Sequence, residues 1–513
     1  MHARFTRRRR GAASALAVGL ALAVSLPTAV LGDHGFPNPA PYVAFTPAVT
    51  GGQIIPLINS GDEYQGVMFE GIPDGIGVVP GTETIDLYVA HEQSHVPFGG
   101  FADFQDSSVS RVTVDLAHKQ VVGLDVALSP DLGFIRFCSA FMAGPEQGFS
   151  GYTFLVNEES NDVVDVVPNA PYGADPAIAP YRQAGYSAAL DTSDGSVTAL
   201  SRMGRHNHEN TVVVPGGWKW TATLSGDDTF NAPSSQLYLH TADDPGKLLA
   251  DKGQLWAFQA TAVDGVAVDG SNPFNGANDY LDISGTESFS GRFIHVPTDV
   301  ARGLTGEAPQ AALENWSNDN NVFQFIRVED IAYDPDDPRT VYFADTGTAV
   351  QPSAATSGPT AGRLVPGGAG QRGRVFKMVL NAKDPRVVDS LTILADGNNA
   401  QSNFNRPDNI AVSRNSIMIQ EDTGNAKVWR YDLATPGWTH VASATQPTAE
   451  TSGIVDVSQW LGAGWWALDV QSHINKDLGP SGLTYVTPIT GAPLTYQTRR
   501  EDGQLLLMQI PGS

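Results

Sequence analysis

The sequence is poor in cysteine and in helical periodicity. Cys138 is the one cysteine among 513 residues, so an intramolecular disulfide is excluded. No long segment repeats apolar residues with the 3.6-residue period of an amphipathic helix, and the sequence therefore predicts little helix. The chain also lacks a Gly-x-Ser-x-Gly nucleophile elbow and a phosphate-binding P-loop, which disfavours serine-hydrolase and nucleotide-dependent chemistry.

Basic residues become scarce once the N-terminus is set aside. Arg7–Arg10, the apolar segment Ala12–Leu26 and the small-residue site Val30–Gly32 together predict a signal peptide over residues 1–32. Removing its five arginines leaves 31 − 5 = 26 basic residues against 55 acidic ones, a net charge of −29. Such a charge disfavours nucleic acid and anionic membranes as partners.

The apolar segment near the N-terminus is too short to span a membrane. We therefore expect a protein without a membrane span that is secreted, periplasmic or held at the cell surface. Its arginine run is compatible with twin-arginine export, and general secretion fits the same segment. We expect the exported chain to be a monomer.

Short β-rich segments alternate with turns throughout the chain, in which glycine and proline total 53 + 34 = 87 residues. One pattern occurs three times, over 74–92, 328–346 and 407–422: an acid, a strand, a turn, a second strand and another acid. Repeats of this length are typical of propeller blades. The sequence thus predicts an all-β fold, a β-propeller, with residues 33–513 as one domain.

Two further expectations concern the edges of this propeller. The strand candidate Leu505–Met508 is expected to close the ring against residues near the mature N-terminus, because an open ring would expose sheet edges. The segments 265–325 and 347–372, rich in glycine, asparagine, serine and proline, are expected to form long loops over one face.

Acidic residues stand at the strand ends of these repeats, where a propeller brings equivalent positions to one mouth of its channel. They are Glu92, Glu158, Glu209, Glu329, Asp408 and Glu421. Singly, each fits a turn or strand-end cap; together with Cys138 they predict a metal cluster. Carboxylates suit calcium and a thiolate suits a softer transition metal, although Cys138 alone fits a small buried hydrophobe equally well.

Two basic side chains lie beside these acids. Arg327 precedes Glu329 by two residues, where its guanidinium fits either an anion clamp or an ordinary ion pair. His208 precedes Glu209 and fits a metal ligand, a neighbour of a ligand, or a packed strand-end imidazole.

The ordered motifs resemble those of the PhoX-type alkaline phosphatases, a bacterial secreted family, from about Tyr64 to the C-terminus. The matching motifs are Arg136-Phe137-Cys138-Ser139, Asn157-Glu158-Glu159, Gly204-Arg205 with His208-Glu209, Arg327-Val328-Glu329, Pro407-Asp408-Asn409, Glu450-Thr451-Ser452-Gly453 and Asp469-Val470-Gln471-Ser472-His473. The resemblance implies a six-bladed propeller with an axial cluster of Fe³⁺ and Ca²⁺, the cysteine thiolate on iron, acting on small phosphomonoesters.

The resemblance also implies roles for individual residues. Cys138, Glu209, Glu329, Asp408 and Glu450 match metal ligands; Glu158 and Glu159 match an acidic pair; Arg327 matches the arginine that contacts phosphate. The chain departs from the family at Gly226-Asp227-Asp228, where members tend to show Glu-Asp-Asp. We therefore expect any difference from the family to concern a calcium site or the substrate range.

Two other functions remain compatible with the residues. A calcium-dependent lactonase or esterase propeller would use the acids without the thiolate. A non-catalytic surface propeller would bind calcium for stability alone. Iron at Cys138 distinguishes the phosphatase from both.

Overall fold

Six antiparallel blades form a propeller ring, and two of them belong to one continuous ten-stranded sheet. The computed structural model describes residues 39–93, 106–161, 183–229, 235–267, 280, 283, 285–347, 372–477, 484–486, 493–495 and 499–513. The predicted signal peptide and nearly all of the predicted loop 347–372 lie outside the described residues. Residues Pro39–Ser513 form one compact unit, and the domain boundary after residue 32 stays a prediction.

The first strands and the first two blades follow one another along the chain. The N-terminal strands are β1 (Val43–Phe45), β2 (Gln53–Asn59), β3 (Glu63–Tyr64) and β4 (Val67–Met68). Blade 1 contains β5 (Pro73–Pro80), β6 (Thr84–His91), β7 (Ser108–Asp115) and β8 (Gln120–Leu128). Blade 2 contains β9 (Phe137–Ala143), β10 (Thr153–Glu158), β11 (Ser187–Asp191) and β12 (Val197–Leu200).

Blades 3 and 4 share an extra strand. Blade 3 contains β13 (His208–Val213), β14 (Thr221–Asp227), β15 (Leu237–Ala242) and β16 (Gln254–Val263), extended by β17 (Val266–Ala267). The shared strand is β18 (Phe289–His295), which pairs with the outer strand of each blade. Blade 4 contains β19 (Val328–Tyr333), β20 (Thr340–Asp345), β21 (Arg374–Leu380) and β22 (Val387–Asp396).

The last two blades take strands from both ends of the chain. Blade 5 contains β23 (Pro407–Val412), β24 (Ser416–Glu421), β25 (Lys427–Asp432) and β26 (Trp438–Ala444), with β1 at its edge. Blade 6 contains β27 (Glu450–Asp456), β28 (Trp465–Asp477), β31 (Arg499–Gln509) and the N-terminal β2. A hairpin of β29 (Thr484–Val486) and β30 (Pro493–Thr495) precedes β31.

Helices are short and few among the described residues. They are α1 (Pro245–Leu249), α2 (Thr298–Ala301), α3 (Pro309–Asp319) and α4 (Ser458–Leu461), with 3₁₀ turns at Pro130–Leu132, Pro145–Gln147 and Ser201–Met203. The prediction of a loop over 265–325 was wrong in part, since β18, α2 and α3 lie there. Tertiary packing explains the difference: Phe289 and Phe293 of β18 and Leu313 of α3 are buried despite the polar composition around them.

The ring is closed by the N-terminal strand β2. It pairs antiparallel with β31, with Ile54 opposite Met508 and Ile55 opposite Leu507. The expected closure is therefore confirmed. The inner strands β5, β9, β13, β19, β23 and β27 each contact the next, and β27 contacts β5, so all six surround one axial channel. The predicted β-propeller is confirmed.

Candidate metal centre and active site

Five of the six inner strands carry a β-bulge at the same place. In each, two consecutive residues lie opposite one residue of the second strand, and the pairs are Asp74-Gly75, Cys138-Ser139, Glu209-Asn210, Glu329-Asp330 and Asp408-Asn409. A bulge bends the strand and redirects a side chain, which is why bulges are common beside active sites. The first residue of every pair lines a cavity at one mouth of the channel.

The second strand of four blades contributes an acid to the same cavity. Glu92, Glu159, Asp228 and Asp422 each lie just beyond the last residue of the second strand. Their backbone N–H groups donate to carbonyls two residues before the bulge, those of Ile72, Arg136, Asn207 and Arg406, over 2.9–3.1 Å. This shared hydrogen bond fixes the bulge residue and the acid of the second strand of each of these blades at the cavity.

The cavity has a volume of about 210 Å³ and an excess of negative charge. Its described lining includes three basic side chains, Arg136, Arg327 and His473, beside Cys138. The acids are Asp74, Glu92, Glu159, Glu209, Asp228, Glu329, Asp408, Asp422, Glu450 and Glu501. Ten acids against three bases leave a formal charge of −7 even with the histidine protonated. Burying this charge is unfavourable unless protons or cations neutralise it.

Sequence reasoning named most of these residues. Those that line the cavity are Glu92, Cys138, Glu159, Glu209, Arg327, Glu329, Asp408 and Glu450. The prediction that Cys138, Glu209, Glu329, Asp408 and Glu450 surround one channel mouth is confirmed. Whether they hold metal stays a prediction.

Glu158 and Glu421 are not in the cavity lining, which corrects their expected place among the ligands. The Glu158 carboxylate accepts backbone N–H groups of Ile135, Gly185 and Tyr186 at 2.9, 3.1 and 3.0 Å. The Glu421 carboxylate accepts Asn405 N–H and the Trp429 indole N–H, both at 2.9 Å. Both glutamates support the segment before a bulge. Successive strand side chains point to opposite faces, so the next residues, Glu159 and Asp422, face the cavity instead.

The thiol of Cys138 lies within the acids. Its Sγ lies 3.4 Å from Asp74 Oδ2 and 3.4 Å from Glu209 Oε1, so its single S–H proton can be donated to either carboxylate. Ser139 also donates to Glu209 Oε1, at 2.6 Å, and Asn409 donates to Ser139 Oγ at 3.0 Å. Burial, followed by the charges of Asp74 and Glu209, raises the pKa of the thiol well above its usual value.

The buried carboxyl groups of the cavity also have raised pKa values. Burial, then the charge of Glu92, raises the pKa of Asp74 to about 7. Burial and neighbouring acids raise the pKa values of Glu209, Glu329 and Asp408 well above the usual range. The raised pKa values show that this cavity disfavours free carboxylates, a cost that bound cations would offset.

Three sets of side chains bring their ligand atoms within 4.8 Å of one another. They are Asp74, Glu92 and Cys138; Cys138, Glu159 and Glu209; and Glu209, Glu329 and Asp408. Cys138 and Glu209 each belong to two of the three sets. Many carboxylates and one thiolate fit hard cations together with one softer metal.

The family is decided by the sequence around these strands. The family model described as alkaline phosphatase PhoX matches residues 153–455, more than half of the 513 residues. The chain belongs to the PhoX alkaline phosphatase family. The resemblance of its ordered motifs is thus confirmed, and the chain is a phosphoric monoester hydrolase.

One solved structure supports the fold of this PhoX family member. PhoX of Pseudomonas fluorescens in complex with vanadate, a transition state analogue, is similar at a TM-score of 0.58 and 15% identity, covering 91% of this chain and 96% of that chain. The β-propeller domain of Myceliophteria_thermophila Cps50 (Swd1) gives a TM-score of 0.35 at 9% identity, with 79% and 96% covered. The second likeness is too weak to carry an argument. No curated protein matches the chain.

Arg327 is held against the acids of the PhoX site. Its Nε and Nη2 donate to the two carboxylate oxygens of Asp228, both at 2.6 Å, and its Nη2 lies 3.4 Å from Glu329 Oε1. A bidentate pair fixes the plane of the guanidinium. Asp228 comes from blade 3 and Arg327 from blade 4, so the pair also joins two blades at the cavity.

His473 bridges two of the acids. It has a φ of 48°, within a register shift of β28. Its Nδ1 lies 2.7 Å from Glu501 Oε1 and its Nε2 lies 3.3 Å from Glu450 Oε1. Burial lowers the pKa of His473, but the hydrogen bonds with both glutamates outweigh it and raise the pKa to about 11.

Several cavity residues were missed by sequence reasoning. Asp74 opens the first of the three repeats, so its repeat position was the signal that could have identified it. Asp228 and Asp422 directly follow second strands, as Glu159 does. Arg136 lies in the Cys138 motif, where no role was predicted for it.

The sequence contains one His-Glu-x-x-His motif, and its described residues do not form a helical zinc site. His91-Glu92-Gln93-Ser94-His95 spells the His-Glu-x-x-His motif, which binds zinc when both histidines face one side of a helix. His91 instead ends strand β6, and its ring nitrogens lie 2.9 Å from Gly71 O and 2.8 Å from Ser110 Oγ. His95 lies outside the described residues.

His208 packs at the start of its strand. Its ring contacts Ser225 Oγ and Gly204 O and is fully buried.

Proposed function

We propose that this chain is an exported, metal-dependent phosphomonoesterase whose metal cluster lies in the cavity at the bulged ends of the inner strands. One observation carries the proposal: the bulges bring Asp74, Cys138, Glu209, Glu329 and Asp408 to one small cavity. Membership of an alkaline phosphatase family assigns phosphoric monoesters as the substrate class.

The donor set supports calcium together with iron. The carboxylates of Glu209, Glu329, Asp408 and Glu450 are hard oxygen donors of the kind calcium takes. Cys138 is the one sulfur donor, so we place the softer iron beside it, with Asp74 and Glu159 as neighbouring ligands. When bound, such cations would neutralise the phosphoryl oxygens and activate the attacking nucleophile.

Arg327 supplies positive charge from the protein itself. Its bidentate bond to Asp228 holds the guanidinium plane fixed, so little reorganisation is needed when charge develops on the phosphoryl group. With its side chain 13% exposed, Arg327 can contact a phosphoryl oxygen in the cavity. We propose that it stabilises the transition state.

The cavity lining also bears on substrate range. Apart from Cys138, its described apolar lining consists of Ile72 alone. A cavity of about 210 Å³ with such walls holds a phosphoryl group among cations and offers no apolar pocket for a leaving group. We therefore propose that the enzyme accepts many small phosphomonoesters.

Metal analysis combined with a hydrolysis assay tests this function. Protein purified without chelator should contain iron and calcium, hydrolyse a chromogenic aryl phosphate, and be inhibited by vanadate. Arg327→Ala should keep the metals and lower kcat/KM. A fully metallated wild type that is inactive on phosphomonoesters but cleaves a lactone would contradict the proposal and favour the calcium-dependent lactonase.

Export and partners complete the proposal. We propose that residues 1–32 are removed during export to the periplasm, cell surface or medium, where the enzyme acts as a monomer on free phosphate esters. Among the described residues, no helix is both long and apolar enough to span a membrane. N-terminal sequencing of the protein recovered from the culture medium and the periplasm tests the cleavage.

A further inference from the structure

Three arginines occupy the same position in three blades. Arg136, Arg327 and Arg406 each lie two residues before the first bulge residue of their inner strand. The carbonyl of each accepts a backbone N–H from beyond the second strand, at 2.9 Å for Arg136, 3.1 Å for Arg327 and 3.0 Å for Arg406. The backbone therefore presents these three side chains in comparable places.

Two of the three arginines reach the cavity. Arg136 and Arg327 line it, with side chains 21% and 13% exposed, whereas Arg406 is not part of its described lining. Arg136 Nη2 lies 3.3 Å from Glu92 Oε1 and 3.6 Å from Glu159 Oε2. Arg136 thus faces the acids from blade 2, as Arg327 does from blade 4.

The two guanidinium groups flank a pair of neighbouring acids. Glu159 contacts Arg136, Asp228 contacts Arg327, and the charge of Asp228 acts on Glu159. The order around the cavity wall is therefore cation, acid, acid, cation. A doubly charged phosphoryl group has three terminal oxygens, and two cationic forks from different blades can each bind one of them.

Arg136 holds a backbone conformation that non-glycine residues seldom adopt. Its φ is 50°, within the left-handed region. Its N–H donates to Gln93 O at 2.7 Å, and its carbonyl accepts Glu159 N–H at 2.9 Å, so both sides of the residue are fixed. Such conformations persist where the surroundings determine them, and these two hydrogen bonds hold Arg136 at the edge of the cavity.

We propose that Arg136 is a second substrate-contacting residue, which binds a phosphoryl oxygen from blade 2 while Arg327 binds another from blade 4. This inference rests on the proposed phosphomonoesterase function. It extends that function by assigning recognition of the dianionic phosphate group to a pair of arginines.

Arg136→Asn, with Arg406→Asn as its matched control, tests the inference. Asparagine tolerates the left-handed backbone conformation of Arg136. Arg406 has the same conformation, with a φ of 51°. In the metallated protein, Arg136→Asn should weaken vanadate binding and raise KM for an aryl phosphate by about 10- to 100-fold, the worth of a charge-assisted hydrogen bond. Arg406→Asn should bind vanadate as the wild type does. Arg136→Lys, which keeps the charge without the fork, should fall between them.

Metal content and vanadate titration distinguish the possible failures. Vanadate binding by Arg136→Asn within about twofold of the wild type, with equal iron and calcium, would overturn the contact. A binding defect that disappears when metal is added back would also overturn it, because Arg136 would then serve to hold Glu92 and Glu159. If the metallated wild type neither binds vanadate nor hydrolyses phosphomonoesters, the proposed function itself fails, whatever the variants do.

Discussion

The sharpest consequence of the site geometry concerns two adjacent glutamates with opposite roles. Glu158 accepts three backbone N–H groups, whereas Glu159 lines the cavity. Glu158→Gln replaces one acceptor oxygen with an amide NH₂, so at least one of the three buried N–H groups loses its acceptor. We expect Glu158→Gln to lower stability while keeping the metals, and Glu159→Gln to lose metal without lowering stability.

The expected size of the stability loss follows from these bonds. Leaving one buried N–H unsatisfied costs about 1–3 kcal/mol of the free energy of unfolding. The unit Pro39–Ser513 has 513 − 38 = 475 residues, so its unfolding entropy is about 1 kcal/mol per kelvin. The melting temperature of Glu158→Gln should therefore fall by roughly 1–3 °C.

Glu159→Gln should behave differently because its carboxyl group is crowded by other acids. Burial raises the pKa of Glu159 well above its usual value, so removing this charge does not weaken the metal-free fold. Its carboxylate belongs to one candidate ligand set with Cys138 and Glu209, and its loss should lower the metal content.

Calorimetry and metal analysis on both variants decide the matter. Calorimetry is best run on the acid side of the Glu158 pKa, which burial raises to about 7, so that the native carboxyl group is protonated and the change in melting temperature reports the lost acceptor and not the relief of a buried charge. Metal loss in Glu158→Gln with an unchanged melting temperature, or full metal content in Glu159→Gln, would refute the assignment of the two roles.

Three further predictions use other parts of the structure. Cys138→Ser should lose iron and keep most calcium, because serine is a poor ligand for the softer metal; elemental analysis that finds wild-type iron would contradict this. Gly226→Ala would place its Cβ 2.5 Å from Val328 O and 2.7 Å from Glu329 O. It should therefore cost about 1–3 kcal/mol and lower kcat/KM by displacing β19, whereas Gly151→Ala, with open space at its Cβ, should match the wild type in both assays. Burial lowers the pKa of His240 from 6.5 to about 4, so the stability that its neutral form contributes is present above about pH 6.5 and is lost as the pH falls toward 4. This loss should reach about 3 kcal/mol in denaturant titrations, and an equally steep loss in His240→Gln would show that another group is responsible.

Packing explains why glycine stands at position 226, where members of the family tend to show glutamate. Gly226 lies opposite the Glu209-Asn210 bulge, with backbone carbonyls of blade 4 where a side chain would begin. A glycine lets the two blades approach there. Asp228, two residues later, still reaches the cavity and pairs with Arg327, so the departure removes no described member of the lining.

The sequence by itself determined the repeating strands and the kind of chemistry. An acid at each strand end, repeated over 74–92, 328–346 and 407–422, specifies blades, because each blade meets its neighbours in the same way and equivalent positions converge. The lone Cys138 among these acids indicated one soft sulfur ligand beside several hard oxygen ligands. These signals are local, or periodic along the chain, and a sequence displays them directly.

The tertiary structure alone decided which of two adjacent acids faces the cavity. Glu159 and Asp422 line it while Glu158 and Glu421 accept backbone N–H groups, although each pair differs by a single position. Strand side chains alternate between faces, and a bulge shifts that alternation by one residue. The outcome therefore depends on strand register, which long-range pairing fixes. The arginine pair could not be predicted for the same reason. Arg136 and Arg327 line one cavity only because blades 2 and 4 converge at the channel mouth.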